Sequence, residues 1–344
     1  MLIEYKNGNL LEADVEAIVN TVNCVGVMGK GIALQFKQAF PENFKEYQKA
    51  CRSKEVKVGN MFTYLRGIIN PKYIINFPTK VHWKSKSKME YIEIGLKALV
   101  DEVKNLKIKS IAIPPLGCGN GGLEWDKVRP HIEKAFAELP DVRVLVYPPG
   151  GAPAPDSIRI ATEKPGLTRS RALFLALMDD YTAPGYKLSL LEIQKLAYFL
   201  QETGEPLRLN FTKHFYGPYA ENLNHVLQRM DGHYIHGYGD RSREARIRLQ
   251  PKAAEEAHNY LASKKDSLEH LSKVSNIIRG FETPYGLELL ATTHWVIKDN
   301  SEINHDHNKV VEAVQKWSIC KKRLFKENHI ISAWKHLNNQ GLFN

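Results

Sequence analysis

The chain has 344 residues, too many for one ordinary hydrophobic core, which implies two domains. Apolar residues make up 43% and charged residues 25%, as in soluble globular proteins, and no apolar run approaches the roughly 20 residues that span a bilayer, so no membrane partner is expected. A net charge of +10 at neutral pH points to polyanionic partners or substrates.

The opening segment MLIEYKNGNLLEADVE carries acids and no apolar signal-peptide core. Cys24, Cys51, Cys118 and Cys320 form no CxxC pair, which disfavours a zinc knuckle and a disulfide framework, so a reduced, cytoplasmic protein is expected. Apolar, β-rich runs then predict strands at 17–20, 61–65, 73–77, 110–114 and 142–147. Helical periods lie between them at 31–39, 42–51, 89–104 and 124–138; in the third, Ile92, Leu96, Leu99, Val100 and Val103 share a face. Such alternation predicts an α/β fold of three layers, α/β/α, with ligand loops at the C-terminal ends of strands. The run YPPGGAPAPDS marks a linker, giving domains 1–148 and 167–344 with a Pro/Gly-rich link at 149–166. Beyond it the pattern is mostly helical (172–178, 190–201, 220–230, 252–263, 268–281, 286–297, 309–317 and 327–337), with a short β-pair at 234–238 and 245–249. The YGPY turn is expected to open the 220–230 helix at its proline.

Two glycine-rich loops stand out. NTVNCVGVMGKGIALQF runs from a strand through Gly29 and Gly31 into a helix, and IPPLGCGNGGLEW repeats the arrangement with Gly117, Gly119, Gly121 and Gly122. Backbone amides at such turns form anion sites, and two of them imply a two-sided cradle for a pyrophosphate. Neither fits the Walker A or Rossmann pattern, which disfavours ordinary nucleotide hydrolases and dehydrogenases. In YIINFPTKVHW, a lone lysine, Lys80, stands at the mouth of a buried strand, and Lys84, Lys86 and Lys88 follow. Those lysines read either as a solvated loop or as a nucleic-acid contact, and Trp83 either stacks on a base or caps the core. Cys118 and Cys24 read as small packing residues. His294, His305 and His307 lack carboxylates or cysteines at metal spacing, so no metal is expected. The four arginines of DRSREARIRL read as an exposed β-ribbon.

GNLLEADVEAIVNTVNCVGVMGKGIA resembles the opening of a macrodomain, the ADP-ribose-binding α/β/α module, and PPLGCGNGGLEWDKV followed by VRVLVY resembles its phosphate loop and closing strand. The TK after the strand, the M-GKGIA loop and GCG…LEW are similar to the branch of glycohydrolases that use a lysine, which includes two-domain antitoxins. The resemblance implies Asn9 and Leu10 near the adenine, and Asn23 on the distal ribose beside Thr21. It places Gly29, Lys30, Gly31, Ile32 and Ala33 along ribose and phosphate, and Gly117, Cys118, Gly119, Asn120, Gly121, Gly122 and Leu123 around the pyrophosphate. Tyr147 would touch the adenosine half, Thr79 would lie beside the substrate, and Lys80 would be catalytic. Two positions depart from the pattern. Asn9 replaces the aspartate common in macrodomains, and Gly121 stands where a protein-directed relative carries an aspartate that helps the lysine. LSLLEIQKLAYFLQETGEPL with its YGPY resembles the helical antitoxin domain called Panacea, which implies a toxin-binding module.

The resemblance implies a glycohydrolase, with no cofactor, that strips ADP-ribose from the base of a nucleoside unit, thymidine first, of ADP-ribosylated single-stranded DNA. The second domain would neutralise a cognate DNA ADP-ribosyltransferase toxin of the DarT kind. A lysine amine attacks only when neutral, so its pKa must fall from about 10.4, through desolvation beside Phe77 and Pro78 and through Lys84 folding back. The alternatives are a non-catalytic ADP-ribose reader and an ADP-ribosyl-protein glycohydrolase.

Overall fold

The computed structural model describes residues 2–150, 159–239 and 245–343. It divides into two compact units, Met1–Glu163 and Lys164–Asn344. Part of the expected linker, 151–158, lies outside the described residues, as do Arg241 and Arg243 of the expected ribbon.

The first unit is built on a six-stranded sheet. Its strands are β1 (Leu2–Tyr5), β2 (Ala17–Asn23), β3 (Phe62–Leu65), β4 (Tyr73–Lys80), β5 (Ser110–Ile113) and β6 (Arg143–Val146), in the order β1-β6-β5-β2-β4-β3. All neighbours pair in parallel except β3, which runs antiparallel to β4. Helices α1 (Gly31–Ala39), α2 (Pro41–Arg52), α3 (Met89–Asn105) and α4 (Trp125–Phe136) cover the two faces. The period of two along each strand sorts the core between those faces. Ala17, Val19, Ile75, Phe77, Ile111 and Ile113 pack with Ile92, Leu96 and Leu99 of α3 and Ile132 of α4. Ile18, Ile74, Ala112 and Leu145 pack with Phe36 and Ala39 of α1 on the other side. Strand β1 carries no sequence signal: it is four residues long and exposed at both ends, and only its pairing with β6 defines it.

The second unit is mostly helical. YGPY does not open a helix there. Gly217–Ala220 pairs antiparallel with Phe211–His214, and the next helix begins only at Leu223. Gly217, at φ +89°, turns the chain where a Cβ would lie 2.8 Å from Thr292 Oγ1, and Pro218 presents its carbonyl to Lys195 Nζ at 2.6 Å. Proline therefore serves as an acceptor on a two-stranded edge instead of as a helix opener. Lys195 is wholly buried; burial first, then the charge of Lys321, pushes its pKa down to about 7. Lys321, also wholly buried, pairs with Glu288, itself inside the helix Pro284–Asp299. Removing one partner of such a pair strands the other charge. Glu288→Ala is therefore expected to destabilise this unit by about 3–5 kcal/mol, read as a lower urea midpoint of the full chain, whereas Glu288→Leu with Lys321→Met recovers most of the loss.

His294 is buried against Tyr198, whose hydroxyl lies 2.7 Å from its Nδ1, and burial pushes its pKa down to about 4. His307 packs on Trp334. Among the described residues no helix is long and apolar enough to cross a membrane.

Candidate functional site

Because β1, β6, β5, β2 and β4 run parallel, their C-terminal ends share one edge of the sheet. Asn9 follows β1, Tyr147 follows β6, the second glycine loop follows β5, Asn23 ends β2 and Lys80 ends β4. Residues spread over the sequence from 9 to 147 are thus lined up along that edge.

Asn23 and Lys80 stand abreast, paired across a register shift at Val22/Asn23. The Asn23 carboxamide folds onto its own loop, donating to Val27 O at 2.6 Å and accepting from Val25 N at 3.0 Å. Tyr47 of α2, wholly buried, donates its hydroxyl to Asn23 O at 2.5 Å and so fixes the strand end. Sequence reasoning missed Tyr47, since an aromatic on an amphipathic helix reads as core.

Lys80 is half-buried and donates from Nζ to the carbonyl of Asn120 at 3.0 Å, reaching across to the second loop. Burial holds its pKa below the ordinary lysine value. Lys84 plays no part in this: its Nζ lies over the Trp83 ring at 5.0 Å, contrary to the expectation that it folds back. Trp83 is 49% exposed and so does not cap the core. Thr79 is buried, its hydroxyl on Val22 O at 3.4 Å, and supports the strand from inside, while Thr21 is half-buried opposite Phe77.

The first loop leads through Gly29 and exposed Lys30 to α1, where Lys30 makes no side-chain cap, so among the described residues the amides of Gly31, Ile32 and Ala33 lack a side-chain acceptor. A Cβ on Gly31 would sit 3.0 Å from Asn120 Nδ2, so the two loops touch. The second loop is held by Leu123 N to Gly117 O and Gly122 N to Gly119 O, both 3.0 Å. Gly121 is buried against it: a Cβ there would lie 2.3 Å from both Gly117 O and Ser87 Oγ. Cys118 is half-buried, with its thiol pushed up to about 11 by burial, which suits packing and not nucleophilic attack.

At the other end, Asn9 caps the short helix Leu10–Glu12, accepting from Leu11 N at 3.1 Å and donating to Glu12 Oε1 at 3.0 Å. Leu10 is buried, and Ile32 and Tyr147 pack partly exposed against the same cluster. That apolar floor suits a flat aromatic group. Among the described residues the one group with metal-ligand spacing, Asp179, Asp180 and His258, is exposed and belongs to the second unit.

The family model of the Macro domain matches residues 19–132. The chain is 49% identical over 341 residues to the DNA ADP-ribosyl glycohydrolase of Thermus aquaticus, a match covering 99% of this chain and 94% of that protein. It is 43% identical over 347 residues to the protein of the same name from Mycobacterium tuberculosis, covering 96% and 97%. A Thermosipho africanus protein named as a DNA ADP-ribosyl transferase–DNA ADP-ribosyl glycohydrolase fusion is 35% identical over 165 residues, 43% of this chain and 42% of that one.

Proposed function

The chain belongs to the DNA ADP-ribosyl glycohydrolase family, and from that premise we propose that it cleaves the N-glycosidic bond between ADP-ribose and a DNA base, that of thymidine in single-stranded DNA. The observation that carries this reading is the order of residues along the sheet edge. From Asn9 at β1 to Lys80 at β4 there are four strand steps of about 4.8 Å, roughly 19 Å in all. Apolar floor, paired glycine loops and lysine follow in the sequence in which an extended ADP-ribose presents adenine, pyrophosphate and distal ribose. Asn23 shapes the loop against which that ribose lies, and Lys80 meets its anomeric carbon.

The neutral Lys80 amine adds to the anomeric carbon as the carbon–nitrogen bond to the base breaks. The amine's proton passes to the departing base nitrogen, and water then hydrolyses the adduct, restoring the amine and giving free ADP-ribose. The hydrogen bond to Asn120 O aims the amine, and burial raises its neutral fraction. Only the unprotonated amine carries a lone pair, so kcat/KM is expected to rise with pH, with a midpoint below the ordinary lysine value near 10.5. A flat profile, or one falling with pH, contradicts an amine nucleophile.

The packing at Gly121 supports DNA over protein substrates, because the aspartate of the protein-directed branch has no room there. Parallel assays on an ADP-ribosylated oligonucleotide and an ADP-ribosylated protein test this. Turnover confined to the oligonucleotide is expected, and faster turnover of the protein refutes it. For the second unit we propose neutralisation of a DarT-like ADP-ribosyltransferase. The support is the relative whose name joins transferase and glycohydrolase in one polypeptide. Co-purification of the full chain with such a transferase, and loss of transferase activity in the complex, is the expected result.

A further inference from the structure

Between Lys80 and α3 the chain runs through VHWKSKSK, residues 81–88, where Val81, Trp83, Lys84, Ser85, Lys86 and Lys88 are exposed and only Ser87 is buried. The exposed indole of Trp83 lies between the His82 ring, centroids 5.5 Å apart, and the Lys84 ammonium, while Lys88 Nζ lies 5.4 Å from the Tyr91 ring. A large aromatic left half in water beside a lysine ammonium gains nothing for the core.

The segment is nonetheless fixed at both ends. Val81 O accepts from Cys24 N of the first loop at 3.0 Å, and Ser87 N donates to Gly121 O of the second loop at 3.0 Å. Ser87 fills the space that the missing Cβ of Gly121 leaves, and its buried hydroxyl has no hydrogen-bond partner among the described residues. The same glycine that closes the phosphate loop thereby anchors a basic, aromatic strip three residues from the reacting amine.

We propose that 81–88 is a strand-binding ridge that seats the single strand flanking the modified base, with Trp83 stacking on a neighbouring base and Lys84, Lys86 and Lys88 meeting its phosphates. This rests on the glycohydrolase reading and deepens it: the ridge gives preference for a nucleotide embedded in a strand over an isolated modified nucleoside. Stacking platforms with interleaved cations hold single strands without reading sequence, so the preference is for a strand and not for a particular flank.

The test compares kcat/KM on an ADP-ribosylated single-stranded oligonucleotide with that on ADP-ribosyl-thymidine across a salt series. Trp83→Ala is expected to lower the oligonucleotide-to-nucleoside ratio about tenfold. The triple change of Lys84, Lys86 and Lys88 to Ala is expected to flatten the log–log salt dependence of oligonucleotide turnover by about two. An unchanged ratio and slope, or an equal fall on both substrates, overturns the ridge while leaving the glycohydrolase in place. Wild-type inactivity on both substrates defeats the glycohydrolase reading instead. The ridge then stands or falls by anisotropy with an unmodified oligonucleotide, which wild type binds and the triple variant releases if the ridge is real.

Discussion

Lys80→Ala is expected to reduce release of ADP-ribose from a modified oligonucleotide by about a thousandfold or more, with affinity for free ADP-ribose within a few-fold of wild type. The separation follows from position. Lys80 ends β4, whereas the two glycine loops and the apolar floor, proposed to hold the rest of the ligand, lie on other strands. Lys80→Arg is expected to be equally inactive, because a guanidinium keeps its proton and offers no nucleophilic lone pair. Chromatographic measurement of released ADP-ribose, alongside calorimetric titration, checks both halves. Arginine restoring turnover indicates that positive charge, and not an amine lone pair, is what the reaction needs.

Gly121→Ala is expected to disturb the second glycine loop directly. The added Cβ meets the Gly117 backbone carbonyl and the Ser87 hydroxyl at 2.3 Å; the serine can turn about its χ1, but the backbone carbonyl cannot swing away. The loop itself must shift, at a cost of about 1–3 kcal/mol, and with it the Asn120 carbonyl that aims Lys80. We expect a lower Tm, ADP-ribose affinity down tenfold or more, and a larger loss of turnover. Gly119→Ala, whose Cβ meets nothing within 4 Å, serves as the stability comparison and keeps its Tm. Equal Tm for the two variants rules out the close packing at Gly121.

How far the sequence carried this reading depends on how local each signal was. Strands β2, β4, β5 and β6 are short, nearly continuous buried runs, and the glycine loops after β2 and β5 announce themselves without tertiary context. Lys80 was legible because one charge follows six buried residues at a strand end. Tyr47 and Ser87 were not, since one looks like helix core and the other like part of a polar run; what they do depends on partners 24 and 34 residues away, Asn23 and Gly121. The Phe211–Ala220 hairpin was misread because proline marks several kinds of chain reversal. Which kind occurs here depends on Lys195 and Thr292 closing around the Gly217–Pro218 turn.

The most direct measurement is the mass of an ADP-ribosylated single-stranded oligonucleotide before and after incubation with the protein. The account predicts a fall by one ADP-ribosyl group, an unmodified oligonucleotide and one free ADP-ribose per strand. An oligonucleotide of unchanged mass, with a protein that binds ADP-ribose normally, contradicts it and makes the sheet edge a binding site without a reaction.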